Sequence, residues 1–330
     1  MKSIIFSAPN KVNLFEKPEP VIGKDEVLIK VKASGICHTD YEILKGNYGS
    51  NAFPLIPGHE FAGIIAKVGE NVTQFKDGDR VVVDPNIGCD NCNACARGWV
   101  HLCEYLGAYG VSTNGGFSEF CAVASERVHT IGDIPFKQAA LAEPMGCVLN
   151  ALDTVHADWI RNVLIFGAGP MGILMGLALK QLGAARVTFC DKAEDRLALA
   201  ESFGFSSVLS DSKELFAWHR QADLAVEATG VSTVAAELTN YIANGGKGLF
   251  FGVCQSEFKI NLSPFEIFRR QLTLAGSHSL NRNIPRSLEK ISALGTELDS
   301  IISHEVTLSE ICEFLGGQMP RESLKVQWSN

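Results

Sequence analysis

The chain has 330 residues, of which 46% are hydrophobic and 20% are charged. These values are typical of a globular protein of about two domains, and they exclude a disordered, collagen-like or low-complexity chain. The 37 acidic residues outnumber the 29 basic residues and leave a net charge of −8, so we expect binding neither to nucleic acid nor to an anionic membrane surface.

The sequence contains no typical targeting or membrane segment. Its first apolar run covers only residues 4–6, whereas a secretory signal needs about 7–15 apolar residues. The longest uncharged run, residues 163–179, contains GAGP in its middle, and it falls short of the roughly 18–20 residues of a membrane helix. We therefore expect a cytoplasmic protein without a membrane partner.

Short apolar stretches separated by Gly, Pro, Asn and Asp dominate the first 150 residues. Examples are EVLIKVKASGI at 26–36, FAGIIAKVG at 61–69, RVVVD at 80–84 and GGFSEFCAV at 115–123. This pattern is typical of an all-β unit and predicts a small, irregular barrel.

Two short polar segments lie next to these stretches, GICHTD at 35–40 and PGHE at 57–60. Together with Glu143 in LAEPMGC, Cys37 and His59 supply a carboxylate, a thiolate and an imidazole. These are the ligand types of an open catalytic zinc site. From composition alone, ordinary packing roles remain an equal alternative.

Four cysteines follow with the spacing C-x2-C-x2-C-x7-C: Cys89, Cys92, Cys95 and Cys103. Four thiolates in one short loop predict a tetrahedral zinc ion, and an iron–sulfur cluster or unligated thiols are the lesser alternatives. A closed four-thiolate site leaves no open position, so we expect a structural role.

From about residue 160, apolar strands alternate with helices. The predicted strands cover 162–166, 186–190, 222–227, 247–253 and 272–276, and the predicted helices cover 171–182, 192–203 and 233–242. Continuous apolar strands between helices predict a doubly wound parallel sheet covered on both faces.

The first strand–helix turn carries the sequence GAGPMG, with Gly167, Gly169 and Gly172. This is the dinucleotide fingerprint in its required context, and Asp191 at the end of the second strand predicts NAD rather than NADP. Because Lys192 lies next to Asp191, NADP remains an alternative coenzyme. The structural alternative to a coenzyme site is a glycine-rich turn that binds nothing. Further expected coenzyme contacts are Pro170, Met171, Lys192 and Arg196.

In this order, GICHTD, PGHEFAG, the cysteine loop, AEP, GAGPMG and VEATG resemble the zinc-containing medium-chain dehydrogenase/reductase superfamily. The resemblance implies a two-domain α/β fold. A GroES-like β-barrel catalytic domain would cover 1–150, with 285–330 returning to it, and a Rossmann NAD-binding domain would cover 151–284. It also implies one catalytic and one structural zinc per chain, a catalytic cleft between the domains, and a homodimer or homotetramer.

The resemblance also assigns roles to single residues. Cys37 and His59 match catalytic zinc ligands, Glu60 and Glu143 match carboxylates that ligate the metal or hold its water, and Thr39 matches the hydroxyl that takes the substrate proton. Matches to coenzyme contacts are His38, Thr229, Gly230 and Val253; structural roles remain alternatives for these four. One departure is Glu42, which stands where several alcohol dehydrogenases place a proton-relay histidine.

These features predict a zinc-dependent oxidoreductase that transfers a hydride between a secondary hydroxyl of a polyol and NAD. Ala142-Glu143-Pro144 replaces the cysteine region of primary-alcohol members, and PLIPGHEFAG and VVVDPN resemble arabinitol-type dehydrogenases, so a pentitol is the first candidate. Alternatives are a simple alcohol or threonine, a non-catalytic NAD-binding zinc scaffold, and a sugar-phosphate alcohol. The last would need converging cations from Lys45, Arg269, Arg270, Arg282 and Arg286.

Overall fold

The computed structural model describes residues 1–48, 53–157, 160–318, 320 and 322–330. The strands are β1 (Lys2–Ala8), β2 (Lys11–Glu16), β3 (Glu26–Gly35), β4 (Glu60–Val68), β5 (Arg80–Val83), β6 (Asn86–Ile87), β7 (Gly107–Ala108), β8 (Phe120–Ala124), β9 (Val128–Thr130), β10 (Asn162–Phe166), β11 (Arg186–Asp191), β12 (Ser206–Leu209), β13 (Ala222–Glu227), β14 (Ile242–Phe250), β15 (Thr273–Gly276), β16 (Ile302–Val306) and β17 (Lys325–Ser329).

The helices are α1 (His38–Lys45), α2 (Asn93–Ala96), α3 (Phe136–Ala139), α4 (Ala142–Thr154), α5 (Pro170–Gln181), α6 (Glu194–Ser202), α7 (Ser232–Glu237), α8 (Pro264–Arg270), α9 (Ile284–Leu294) and α10 (Leu308–Glu313). Short 3-10 turns lie at Val100–Leu102, Ser125–Arg127, Lys213–Trp218, Leu238–Asn240 and Gly295–Ile301. Within the described ranges, every helix falls short of the length and apolarity that crossing a membrane requires.

The chain divides into two compact units, one of Met1–Gly146 with Leu280–Asn330 and one of Cys147–Ser279. These divisions lie a few residues from the boundaries expected at 150 and 284. That the two units fold as independent domains stays a prediction.

The first unit is built on a mostly antiparallel sheet in the order β16-β17-β3-β4-β5-β9. Strand β8 pairs with the first half of β3, and β17 pairs with its last residues. Its core contains fully buried side chains from distant parts of the chain, such as Phe6, Ile29, Phe61 and Phe117. The carboxyl-terminal strand β17 lies beside β3, with Gln327 opposite Gly35. The tail therefore packs into this unit, close to the segment that carries Cys37.

The second unit is a six-stranded parallel sheet in the order β12-β11-β10-β13-β14-β15. Counted from its own first strand, this is the order 3-2-1-4-5-6 of a dinucleotide-binding fold, and the predicted doubly wound parallel sheet is confirmed. Helix α5 begins with Gly169 as its N-cap and Pro170 in the first turn, where a proline costs no hydrogen bond.

Several elements differ from the predictions, among them strand β12, which was not predicted. The helix expected over 233–242 ends at Glu237, because Ile242 is fully buried and pairs with Ala222 as the first residue of β14. Helix α4 lies partly in the stretch predicted as strands and turns, and its Ala, Leu and Met residues favour a helix. Helix α8 was not predicted, although Ser263 caps it and Pro264 begins it.

Candidate active site

Cys37, His59 and Glu60 form a compact group in the first unit. Their ligand atoms, the thiol sulfur, an imidazole nitrogen and a carboxylate oxygen, all lie within 4.8 Å of one another. His59 and Glu60 are buried, whereas Cys37 is partly exposed. Cys37 and His59 supply a thiolate and an imidazole, two of the donors of an open zinc site, and Glu60 places a carboxylate beside them, so the chemistry of this group fits the metal.

Strand pairing brings this group together. The last residue of β3, Gly35, lies opposite Glu60, the first residue of β4. A side chain at Gly35 would overlap Glu60 Oε2, so the close approach depends on glycine there. Cys37 then follows as the N-cap of α1, and the cysteine and the carboxylate meet at the same edge of the sheet.

Asp40 supports this group through its buried carboxylate, and the sequence analysis did not identify it as a functional residue. Its carboxylate is fully buried, accepts the Cys37 N–H at 2.9 Å, and lies 3.5 Å from His59 Nδ1. Burial lowers the pKa of His59, but the charges of Asp40 and Cys37 outweigh it, and the pKa lies well above its ordinary value. The sequence signal that could have identified Asp40 was an acidic residue three positions after the helix N-cap, where a capping box places a carboxylate.

Lys325 was also missed, and no local pattern in β17 marked it. Its Nζ donates to both carboxylate oxygens of Glu60, at 2.8 and 2.7 Å, and to the Ile36 carbonyl at 3.2 Å. Burial lowers the pKa of Lys325, but the charges of Glu60, Cys37 and Glu143 raise it above its ordinary value. Both oxygens of Glu60 are thus engaged by a buried cation.

The other proposed participants lie around this group. Thr39 Oγ1 is 3.6 Å from Cys37 Sγ. Glu143, buried in the first turn of α4, is not in the compact group, but its charge acts on Lys325.

His38 is exposed, and its Nε2 lies 3.6 Å from Glu42 Oε1. Glu42 also accepts hydrogen bonds from Lys45 at 2.7 Å and Asn47 at 3.1 Å, and these bonds lower the pKa of Glu42. The carboxylate is therefore engaged at the carboxyl end of α1.

The second group that could hold a metal ion consists of Cys89, Cys92, Cys95 and Cys103, whose sulfur atoms all lie within 4.8 Å of one another. The sulfurs of Cys92 and Cys103 are 3.9 Å apart, close to the roughly 3.8 Å expected between thiolates in a tetrahedral zinc site with Zn–S bonds of about 2.3 Å. The N–H groups of Cys89 and Tyr105 both point at Cys103 Sγ, at 3.3 Å. This donor set fits a closed structural zinc.

The glycine fingerprint lies at the carboxyl end of β10 in the second unit. Gly167 has a φ of +104°, and a side chain at Gly172 would overlap the Gly167 carbonyl, so both positions need glycine. Asp191 accepts the N–H groups of Ala168 at 2.7 Å and Ala193 at 3.0 Å. The acid at the end of β11 therefore holds the fingerprint loop.

The remaining coenzyme candidates lie on the same edge of this sheet. Lys192 is exposed beside Asp191, and Arg196 Nη1 lies 3.9 Å from where a Cβ on Gly169 would stand. Thr229 and Gly230 follow β13, and Val253 follows β14 and is 84% exposed. Pro170 and Met171 begin α5.

Comparisons with known families match both parts of the chain. Residues 23–133 match the alcohol dehydrogenase GroES-like domain, and residues 170–293 match the zinc-binding dehydrogenase domain. The expected fold class, a GroES-like unit with a Rossmann unit, is thereby confirmed.

Three relatives match nearly the whole chain. A D-altritol 5-dehydrogenase from Agrobacterium fabrum (strain C58) is 46% identical over 318 residues, which cover 95% of each chain. D-arabinitol dehydrogenase 1 from Uromyces fabae is 32% identical and covers 99% of this chain and 96% of its own. A crystal structure of a zinc-binding dehydrogenase from Sinorhizobium meliloti 1021 bound to NADP has a TM-score of 0.95 and 27% identity, covering 100% and 99%.

Proposed function

Because the chain belongs to the zinc-binding alcohol dehydrogenase family, we propose that it oxidises a secondary hydroxyl of a polyol with NAD⁺ and zinc. The observation that carries this proposal is the Cys37, His59 and Glu60 group with the Thr39 hydroxyl beside it. A protein that only bound NAD would need no open metal site, which argues against a non-catalytic scaffold.

In this proposal, Cys37, His59 and Glu143 hold the catalytic zinc. Glu60 has both oxygens bound to Lys325, which supports a role beside the metal rather than on it. When bound, zinc acts as a Lewis acid on the substrate hydroxyl and lowers its pKa. The four clustered cysteines hold a second, structural zinc.

Thr39 is the proposed acceptor of the hydroxyl proton, because its oxygen lies at the metal group and a hydroxyl can both accept and donate. Glu42 is a poor next acceptor. Its hydrogen bonds from Lys45 and Asn47 lower the pKa of its carboxyl, so protonation there is disfavoured. Thr39 therefore passes the proton to water rather than to Glu42.

The fingerprint glycines, Asp191 and the start of α5 are the proposed coenzyme site. Main-chain N–H groups at the start of a helix and its positive dipole end suit the pyrophosphate. The coenzyme supplies the hydride acceptor. We propose NAD rather than NADP, because the Asp191 carboxylate stands at the end of β11, where it would repel a ribose 2′-phosphate.

The proposed substrate is a polyol. The altritol and arabinitol dehydrogenases are the supporting relatives, and Glu143 in place of a thiolate suits a polar pocket that accepts hydrogen bonds from neighbouring hydroxyls. Sugar-phosphate alcohols are less well supported, since three of the candidate cations are already paired with carboxylates. The pairs are Lys45 with Glu42, Arg270 with Glu266 and Arg282 with Asp90.

The test is NAD⁺ reduction by the purified zinc-loaded protein with C4–C6 polyols, sugar-phosphate alcohols, threonine, ethanol and butanol. We expect the highest kcat/KM with a polyol, and D-altritol and D-arabinitol are the first to try. Cys37→Ser should abolish turnover, whereas Cys312→Ser, at a cysteine with no proposed role, should not change it. Higher rates with ethanol and butanol than with every polyol would contradict the substrate class.

We further propose a cytoplasmic homo-oligomer. A reducing compartment keeps the four clustered thiols available for zinc, which supports the cytoplasm.

The sheet edge of the second unit supports the homo-oligomer. Strand β15 is an edge strand, and the side chains of Phe265 and Phe268 in α8, just before it, are 62% and 81% exposed. Apolar side chains near an open sheet edge favour pairing with a second copy. Light scattering coupled to gel filtration tests this.

A further inference from the structure

Glu227, the last residue of β13, has a fully buried side chain at the edge of the sheet that carries the fingerprint loop. Its Oε1 accepts hydrogen bonds from the Thr229 N–H at 2.7 Å, the Thr229 hydroxyl at 2.5 Å and the Gly230 N–H at 2.9 Å. Buried acceptors that take several donors hold a loop rigidly, because each lost bond would leave a donor unpaired. One carboxylate therefore sets the turn after β13.

The same residue also holds the loop after β14. Its main-chain carbonyl accepts the N–H groups of Phe251 at 2.9 Å and Gly252 at 2.8 Å. A Cβ on Gly252 would lie 2.7 Å from Glu227 Oε2, and a Cβ on Gly230 would lie 2.7 Å from the Val253 carbonyl. The two loops thus pack against each other around Glu227, at a distance that only glycine permits.

The network continues into the next helix. The Thr229 hydroxyl that donates to Glu227 accepts the Val231 N–H at 2.9 Å, and Val231 is the N-cap of α7. Glu227 Oε2, by contrast, has no hydrogen-bond partner among the described residues. Through these contacts, one fully buried acid connects the turn after β13, the loop after β14 and the start of α7.

We propose that Glu227 is a positioning residue for the nicotinamide half of the coenzyme. This inference rests on the proposed function, in which Asp191 after β11 faces the adenosine ribose. The loops after β13 and β14, on the other side of β10 in the sheet, then face the nicotinamide half. Asp191 does the corresponding work at the end of β11, where it holds Ala168 and Ala193. Asp191 orders the protein loops that face the adenosine half of the coenzyme, and Glu227 orders the loops that face the nicotinamide half.

The test compares NADH with ADP-ribose, which lacks nicotinamide. Glu227→Ala should weaken NADH binding, followed by fluorescence, about ten- to a hundredfold, because two or three hydrogen bonds that fix the loop are lost. ADP-ribose binding, followed by calorimetry, should change less than about threefold, because this ligand has no nicotinamide for the Glu227 loops to hold. Glu227→Gln keeps an acceptor oxygen of the same reach and should restore most of the NADH affinity.

The matched control is Asp223→Ala. Asp223 lies at the other end of β13 and accepts the main-chain N–H groups of Arg161 at 3.1 Å and Asn162 at 2.8 Å. This variant loses the same kind of bond from the same strand, so its melting temperature should fall, but its NADH and ADP-ribose affinities should stay at the wild-type values.

The outcomes separate the alternatives. Equal weakening of NADH and ADP-ribose by Glu227→Ala, or no weakening of either, overturns the positioning role. If Glu227→Ala does not fold, Glu227→Asp withdraws the carboxylate while keeping its charge and should show the same split between the two ligands. A wild-type protein that binds neither ligand would contradict the proposed function itself, whereas wild-type NADH binding with an unaffected variant contradicts only this inference.

Discussion

At the residue scale, carboxylates at the ends of strands and in the first turn of a helix hold neighbouring main-chain segments in position. Each of three acids accepts two main-chain N–H groups next to a proposed functional residue: Asp40 from Cys37 and Gly58, Asp191 from Ala168 and Ala193, and Glu227 from Thr229 and Gly230. Hydrogen bonds to a carboxylate are stronger than those between neutral groups. Loops that have no strand partner are therefore held in place by side chains.

The pair of Lys325 and Glu60 leads to a prediction about stability and activity. Lys325→Met leaves Glu60 buried without its cation, which should lower the free energy of unfolding by about 3–5 kcal/mol, and polyol turnover should fall because the freed carboxylate stands within the Cys37 and His59 group. Chemical denaturation and steady-state kinetics measure the two effects.

Two controls accompany this variant. Lys325→Arg keeps a cation in contact with Glu60 and should retain most of the stability. Lys137→Met breaks a half-exposed pair with Glu305 and should cost at most about 1 kcal/mol. If Lys325→Met and Lys137→Met lowered the free energy of unfolding equally, the buried pair would contribute no more to stability than the half-exposed pair.

Coenzyme preference leads to a second prediction at this scale. Asp191→Ala removes the repulsion of a 2′-phosphate and leaves Lys192 and Arg196 nearby as cations, so kcat/KM for NADP⁺ should rise relative to NAD⁺ by at least about tenfold. NAD⁺ use should fall as well, because Ala168 and Ala193 lose their acceptor. A wild-type enzyme that already prefers NADP⁺ would refute the assignment.

At the scale of elements, the segment between β6 and β7 has few buried apolar side chains. It contains one turn of α helix and a 3-10 turn. Val100 is buried, but Trp99, Leu102 and Tyr105 are exposed. In the proposed function, four thiolates around one ion would supplement this limited packing and order the loop.

Cys95→Ser should therefore remove about one zinc ion per chain and lower the melting temperature by roughly 5–10 °C. Polyol turnover below the transition should be retained, since Cys37 and His59 are untouched. Asn93→Ala, on the exposed side of the same loop, is the control that should keep both zinc and stability. Loss of turnover with an intact fold in Cys95→Ser would mean that this zinc takes part in the reaction.

At the scale of the whole molecule, the two metal-ligating groups both belong to the first unit, and the fingerprint loop and its acids belong to the second. In the proposed function, metal loading and coenzyme binding therefore depend on separate residues. Each can be measured without the other, by elemental analysis and by NADH fluorescence.

This separation predicts two zinc ions per chain that leave in a fixed order. Brief treatment with a chelator should remove the catalytic zinc first, because that site is open, and should abolish turnover while the melting temperature and NADH binding change little. Longer treatment should remove the second ion and lower the melting temperature. Simultaneous loss of both ions with unfolding would contradict two distinct sites.

The sequence alone determined the features whose parts lie close together along the chain. The cysteine spacing, the strand–glycine–helix fingerprint and the acid at Asp191 are local patterns, and so is the alternation of strands and helices that predicted the parallel sheet. Each follows from short-range geometry, in which a few residues are held by one ion, one turn or one helix end.

Only the tertiary structure revealed the partners that are distant in sequence. Lys325 meets Glu60 across 265 residues, and nothing in the β17 sequence marks which acid it faces. Glu227 could be placed at a strand end, but not between two loops, until β13 and β14 were in register. Burial decides these contacts, because a charged group removed from water must find its partner wherever the fold brings one.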